Sequence, residues 1–312
     1  MAQIVLVHGI AQEQRSADEL EAEWLPALAG GLRIAGYPDL ADGLWRERPV
    51  EGGIEARMAF YGNIFLRPGR MGLDPGELTP EQQVLAEQLA HDWLQRAARD
   101  ASDPRQRHEA AMELARLDDT PSELQGTGAA VRSAIAGLAG VRWFAPFGMA
   151  LAERFAQGAL AQVTRYFTDE QVRSHALGQV ARLVGPDTCV LVGHSLGSVV
   201  AYEAAHRLDR PLPLLVTLGA PLGLRTIVYE RLRPQPPGFP PRLGHWVNVA
   251  DRDDFIAAAP DLATLFGAGR PAGALFESGW TVDNGAEPHR ATFYLTKQET
   301  ARPIGQTLTH TH

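Results

Sequence analysis

Cysteine is nearly absent from this chain. Cys189 is the single one in 312 residues. That excludes an internal disulfide and a cysteine-built metal site. Cys189 stands in an apolar run, Thr188-Cys189-Val190-Leu191-Val192, where a small buried hydrophobe is expected in place of a reactive thiol. Long basic runs are also missing, and the formal net charge is -8. Nucleic acid and anionic membrane surfaces are therefore poor candidates for the main partner. No secretory signal is visible: Met1-Ala2-Gln3 leads directly into Ile4-Val5-Leu6-Val7, too short for an h-region and without a basic n-region, so a cytoplasmic location is expected. The most membrane-like stretch, Ala134 to Ala152, is interrupted by Arg142, Pro146 and glycines, which argues against a spanning helix. There is no HExxH and no phosphate-binding loop, so no metal or cofactor is expected. Gly126-Thr127-Gly128 follows no strand and carries no dinucleotide signal. Internal repeats and a second folded domain with its own linker are lacking too.

What is present is a globular composition, 45% hydrophobic and 21% charged. The length suits one α/β domain with an insertion. The stretch that organises the chain is Gly193-His194-Ser195-Leu196-Gly197, a G-x-S-x-G pattern. An apolar run precedes it and a small-residue helical run, Ser198 to His206, follows. Strand, sharp turn and helix are the context in which a serine is strained so that its hydroxyl projects above a sheet. The helix start offers unpaired amides, so the N–H of Leu196 is a candidate oxyanion donor. The plain alternative is a glycine-rich strand-to-helix turn without chemistry.

The remaining elements follow in order. Gln3–Val7 predicts a strand buried on both faces, ending in His8-Gly9-Ile10, where the N–H of Ile10 is a candidate second oxyanion donor. Ser16 to Ala35 predicts a helix opened by a Ser16/Glu19 capping box, with Leu20, Trp24, Leu28 and Leu32 on one face and Pro26 as a possible break. Ile54 to Tyr61 predicts a strand. From about Leu78 to Val184 only helical patterns occur. They include Val84, Leu85, Leu89, Trp93 and Leu94 on one face, and patches at His108–Leu117, Ala129–Leu138, Met149–Phe167 and Asp169–Val184. That is far more than a strand-to-strand connection needs, so about residues 66–168 are expected to form a helical cap over the carboxyl edge of the sheet. Trp143, Phe144 and Phe147 in it could line a substrate pocket, meet lipid, or serve as cap core. Further strands are expected at Leu214–Leu218, His245–Ala250 and Glu277–Val282, then a helix from near Arg290 towards Gln306. The whole reads as a single domain, α/β, with a mostly parallel central sheet and flanking helices.

Serine needs a base, and the base an orienting carboxylate. With the order Ser, acid, His, only His289, His310 and His312 follow a plausible acid loop, and the last two stand in a polar tail expected to fray. His289 is the candidate base. Asp251, Asp253 and Asp254 are the candidate acids; Asp254 could also cap a helix and Asp251 turn the chain.

The chain resembles bacterial α/β-hydrolases of the lipase and esterase kind. The resemblance is carried by Leu6-Val7-His8-Gly9, Val192-Gly193-His194-Ser195-Leu196-Gly197-Ser198, Leu218-Gly219-Ala220-Pro221-Leu222, Trp246-Val247-Asn248-Val249 with the aspartates after it, and His289 with Tyr294. It covers both ends but not the cap. It implies the α/β-hydrolase fold and a Ser195–Asp254–His289 triad, because in similar lipases the acid stands a few residues past the strand and precedes two apolar residues, here Phe255 and Ile256. His194 is expected to pack behind the turn. The implied reaction is hydrolysis of a carboxylic ester with an apolar acyl group through an acyl-enzyme. A thioesterase, an acyltransferase, or a binding protein on an idle hydrolase scaffold would fit the same pattern. No nucleic-acid partner is expected, and membrane association is not favoured.

Overall fold

The structure is a computed structural model and describes residues 2–46, 53–66, 78–118, 137, 149–257, 259 and 261–311. Six strands form one all-parallel sheet: β1 (Ile4–Val7), β2 (Ala56–Ala59), β3 (Val190–His194), β4 (Leu212–Leu218), β5 (Leu243–Asp251) and β6 (Leu275–Val282), in the order β2-β1-β3-β4-β5-β6. All six expected strands are there. β1 and β3 are buried along their whole length, as central strands covered on both faces must be.

Alternate residues of each strand serve two cores. Val5, Val7, Leu191, Leu215 and Trp246 face one; Ile4, Leu6, Val190, Val192, Leu214 and Val216 face the other. The second core is closed by α1 (Ala17–Ile34) and α8 (Gln298–Thr311). The first is closed by α5 (Glu170–Leu183), α6 (Leu196–Arg207) and two helices of the insertion, α2 (Pro80–Asp100) and α4 (Met149–Thr168). The insertion also contains α3 (Pro104–Asp118), which packs on α2. Its described part is thus continuous with the sheet's own core. Trp143, Phe144 and Phe147, and the helical patch expected at Ala129–Leu138 save for Gly137, lie outside the described residues.

Three expectations need correction. Pro26 does not break α1, whose Ser16/Glu19 capping box forms as expected. The carbonyl that proline leaves without a donor belongs to Ala22, on the exposed side where water can serve it. Burial of Leu20, Trp24, Leu28 and Leu32, at about 1.5–3 kcal/mol for each fully buried side chain, outweighs the defect. Val84 is not on the buried face of α2: it is exposed, and Ala86, Ala90 and Arg96 complete the stripe in its place. The C-terminal helix is two helices, α7 (Ala291–Leu295) and α8, and the expected frayed tail is helical through Thr311 because Leu308 is fully buried against the sheet. Among the described residues no helix is long and apolar enough to cross a membrane.

Candidate active site

The parallel register brings four strand ends to one edge. Val7 is level with Gly193, His194 with Leu218, and Leu218 with Val249. The chain runs from β1 outward to β2, then crosses back to β3 on the other side of β1. The crevice beyond β1 and β3 is therefore the point where an open α/β sheet receives ligands.

Ser195 stands there, between β3 and α6, with φ 56 and ψ -128. A residue with a side chain adopts that backbone only when its surroundings impose it, at about 1–3 kcal/mol. Here the imposing groups are visible. The Ser195 amide donates to Leu218 O at 3.0 Å, and Ser198 Oγ donates to Gly193 O at 2.8 Å. α6 also crosses so near β1 that a Cβ on Gly197 would strike the carbonyls of Val7 and His8. Ser195 heads α6, and the amide of Leu196 lies in the first turn, where no acceptor exists within the helix.

The loop after β1 meets the serine. A Cβ on Gly9 would stand 2.7 Å from Ser195 Cβ. His8 fixes this loop. The Tyr61 amide donates to His8 Nε2 at 3.1 Å, so the ring proton is on Nδ1, which donates to Gly9 O at 2.7 Å. Tyr61 Oη donates to His8 O at 2.7 Å. Burial pulls the His8 pKa down to about 4, against the bond to Gly9. Ala11, at φ 59, donates its amide to Gln162 Oε1 of α4 at 3.0 Å.

The three aspartates at the end of β5 and just past it, Asp251, Asp253 and Asp254, have three different partners. Asp254 is fully buried, and His289 Nδ1 lies 2.9 Å from its Oδ1 and 2.8 Å from its Oδ2. A carboxylate only accepts, so the His289 proton is on Nδ1 and the lone pair on Nε2. Tyr294 Oη donates to Asp254 Oδ2 at 2.7 Å and accepts the Asp251 amide at 3.0 Å. The amides of Ile256 and Ala257 donate to Asp254 Oδ1 at 3.1 and 3.4 Å. Burial pushes the Asp254 pKa up, but the His289 charge and the bonds from His289 and Tyr294 outweigh it and hold the carboxyl below its ordinary value. Asp251 accepts the amides of Asn284 and Asp253, tying the end of β5 to the loop that carries His289. Asp253 accepts from Ser102 of the insertion.

Gly219 makes room for this pair. Its φ is +54, and a Cβ there would lie 2.6 Å from Asp254 Oδ2 and 3.2 Å from His289 Nδ1. Gly219 directly follows Leu218, the residue that receives the Ser195 amide. His194 packs its ring against His289, with centroids 4.6 Å apart. Its Nε2 donates to His289 O at 2.8 Å, so this nitrogen positions the His289 backbone. Burial, then the His289 charge, pull the His194 pKa down to about 3. Among the described residues no group of three His, Cys, Asp or Glu side chains is placed to hold a metal ion.

Gln162, Tyr61, Arg96 and Ser102 carry contacts to these loops that the sequence reading did not assign. Only Arg96 had a signal: it falls on the apolar stripe of α2, where a charge must have a buried partner. Comparison with known family models, with curated proteins and with solved structures gives no match.

Proposed function

We propose that this chain is a serine hydrolase of the α/β-hydrolase fold that cleaves carboxylic esters through an acyl-enzyme. The observation that carries the reading is the Asp254–His289 pair, drawn from segments 35 residues apart and held beside the turn that strains Ser195. Ser195 Oγ attacks the acyl carbon as His289 Nε2 takes its proton. The same proton then passes to the leaving alcohol. Water repeats the sequence on the acyl-enzyme. Asp254 keeps the His289 proton on Nδ1 and stabilises the imidazolium. The amides of Leu196 and Ile10 stabilise the oxyanion, and the Tyr61–His8–Gly9 bonds keep the Ile10 loop in place.

A fluorophosphonate probe tests the reading, since it reacts only with an activated serine. Wild-type protein should be labelled at Ser195 and hydrolyse p-nitrophenyl esters. Ser195→Ala should lose both at an unchanged melting temperature. Full hydrolysis in that variant would end the proposal. A chain-length series, run with matching thioesters, then sets the acyl preference.

A further inference from the structure

The insertion grips the loop that carries Asp254. Arg96 follows Leu89 and Trp93 on the buried stripe of α2 and is itself only 6% exposed. Its Nη2 donates to the carbonyl oxygen of Ala257, and its guanidinium stands 5.9 Å from the centroid of the Trp280 ring. The amide of that same Ala257 donates to Asp254 Oδ1. One residue, Ala257, is therefore held by the insertion through its carbonyl while its amide holds the carboxylate. Just past the end of α2, Ser102 donates through its amide to Asp253 Oδ1 at 2.7 Å and through Oγ to Asp253 Oδ2 at 2.6 Å. Burying a guanidinium carries a penalty of several kcal/mol. Packing alone would be served better by an apolar side chain at that position. Burial lowers the Arg96 pKa to about 10, and the charges of Asp100 and then Asp254 work against that fall.

We propose that Arg96 is a positioning residue for the Asp254–His289 pair, and that the insertion, through Arg96 and the Ser102–Asp253 contact, clamps the acid-bearing loop in its working geometry. This rests on the Ser195–His289–Asp254 reading above. Arg96 touches no reacting atom. It acts through the Ala257 peptide and through its charge. A displacement of about 1 Å in a catalytic group costs on the order of 10²-fold in rate, so a clamp on the loop is a clamp on turnover.

The test uses the full chain, with Arg96→Met, Arg96→Lys and Asp253→Ala. Arg96→Met should lower kcat by roughly 10- to 100-fold with KM little changed. Arg96→Lys keeps a cationic donor and should restore part of kcat. Amide hydrogen exchange at Ile256 and Ala257 should quicken in Arg96→Met. If Arg96→Met does not fold, Asp253→Ala should give the same faster exchange with a smaller fall in kcat. Wild-type kcat and unaltered exchange in folded Arg96→Met would overturn the clamp, as would equal losses of kcat in the methionine and lysine variants. So would unaltered exchange and kcat in Asp253→Ala. Wild-type protein inert to the fluorophosphonate would refute the hydrolase reading itself, and this role with it.

Discussion

Replacing Asp254 with asparagine exchanges one oxygen for an NH2 group and leaves the outline of the side chain unchanged. The surroundings dictate which way the amide turns. The Ile256 and Ala257 amides donate to Oδ1 at 3.1 and 3.4 Å, so the asparagine oxygen must take that place; an NH2 group there would face two donors. The NH2 group then occupies the site of Oδ2, 2.7 Å from Tyr294 Oη and 2.8 Å from His289 Nδ1. Tyr294 Oη already accepts the Asp251 amide, so its own proton loses its acceptor. The new donor, 2.8 Å from Nδ1, competes with the oxygen kept 2.9 Å away and shifts His289 towards the tautomer with its lone pair on Nδ1 and its proton on Nε2. That tautomer cannot take a proton from Ser195. The same substitution in the best-studied triad lowers kcat by ~10⁴, or about 5.4 kcal/mol at 1.36 kcal/mol per decade. The assay is kcat on a p-nitrophenyl ester for Asp254→Asn and Asp251→Asn, with melting temperatures alongside. Asp251 bonds backbone amides and not the histidine, so its variant should be the milder. A loss of less than about tenfold in a folded Asp254→Asn, or the reverse ranking, would refute the reasoning.

Gly219→Ala should lower turnover by at least ~10²-fold, since its Cβ would push on Asp254 Oδ2, with about 1–3 kcal/mol of strain; wild-type kcat would show that the pair tolerates the shift. Arg173→Met should cost about 3–5 kcal/mol in urea unfolding, because it strips Glu203 of its cation while both side chains are buried, leaving it the neutral donors Tyr166 Oη and the Arg233 amide. His8 and His194 are held neutral by burial, at about 4 and about 3, against an ordinary value near 6.5. The folded chain then binds fewer protons than the unfolded one. Stability should fall as pH drops from about 6.5 towards 4, by up to ~1.4 kcal/mol per pH unit for each histidine. The depressed Asp254 adds its loss only below about pH 4, as pH falls through its folded value. Urea unfolding at pH 7, 6 and 5 reads the slope, and a flat profile contradicts it; His8→Asn should remove one share.

Much of this architecture was readable because it obeys period and punctuation. Buried strands such as Ile4–Val7 are short apolar runs, and the capping box at Ser16 announces α1 three residues ahead. The strand–turn–helix around Ser195 is local, so it too is written in consecutive residues. What is not local was harder. Nothing in the run from Asp251 to Asp254 says that one carboxylate faces a histidine, one braces the loop of Asn284 and one receives Ser102; those assignments arise from chains meeting in space. Pro26 looked like a break because propensity speaks for one residue, whereas the helix is held by its whole buried face. Gln162 is an ordinary polar residue in sequence, and only its burial against Ala11 gives it a role.

β1 is an interior strand of the sheet, yet its pairing partner on one side is remote along the chain: Cys189 bonds to Gln3 across a separation of 186 residues. The helical insertion accounts for roughly half of that loop. Closing a loop of twice the length adds only about 0.6 kcal/mol, so the native state is almost indifferent to how long the insertion is. Folding speed is not indifferent, since the central strand cannot dock until the chain beyond it has been made and brought back. During synthesis β2 is available to β1 early, but the other edge of β1 must wait, apolar and without its neighbour, until the insertion and β3 have emerged from the ribosome. The Ser195 turn leans on Leu218 of β4 and on the loop after β1, so its strained geometry is complete only when β1, β3 and β4 lie side by side.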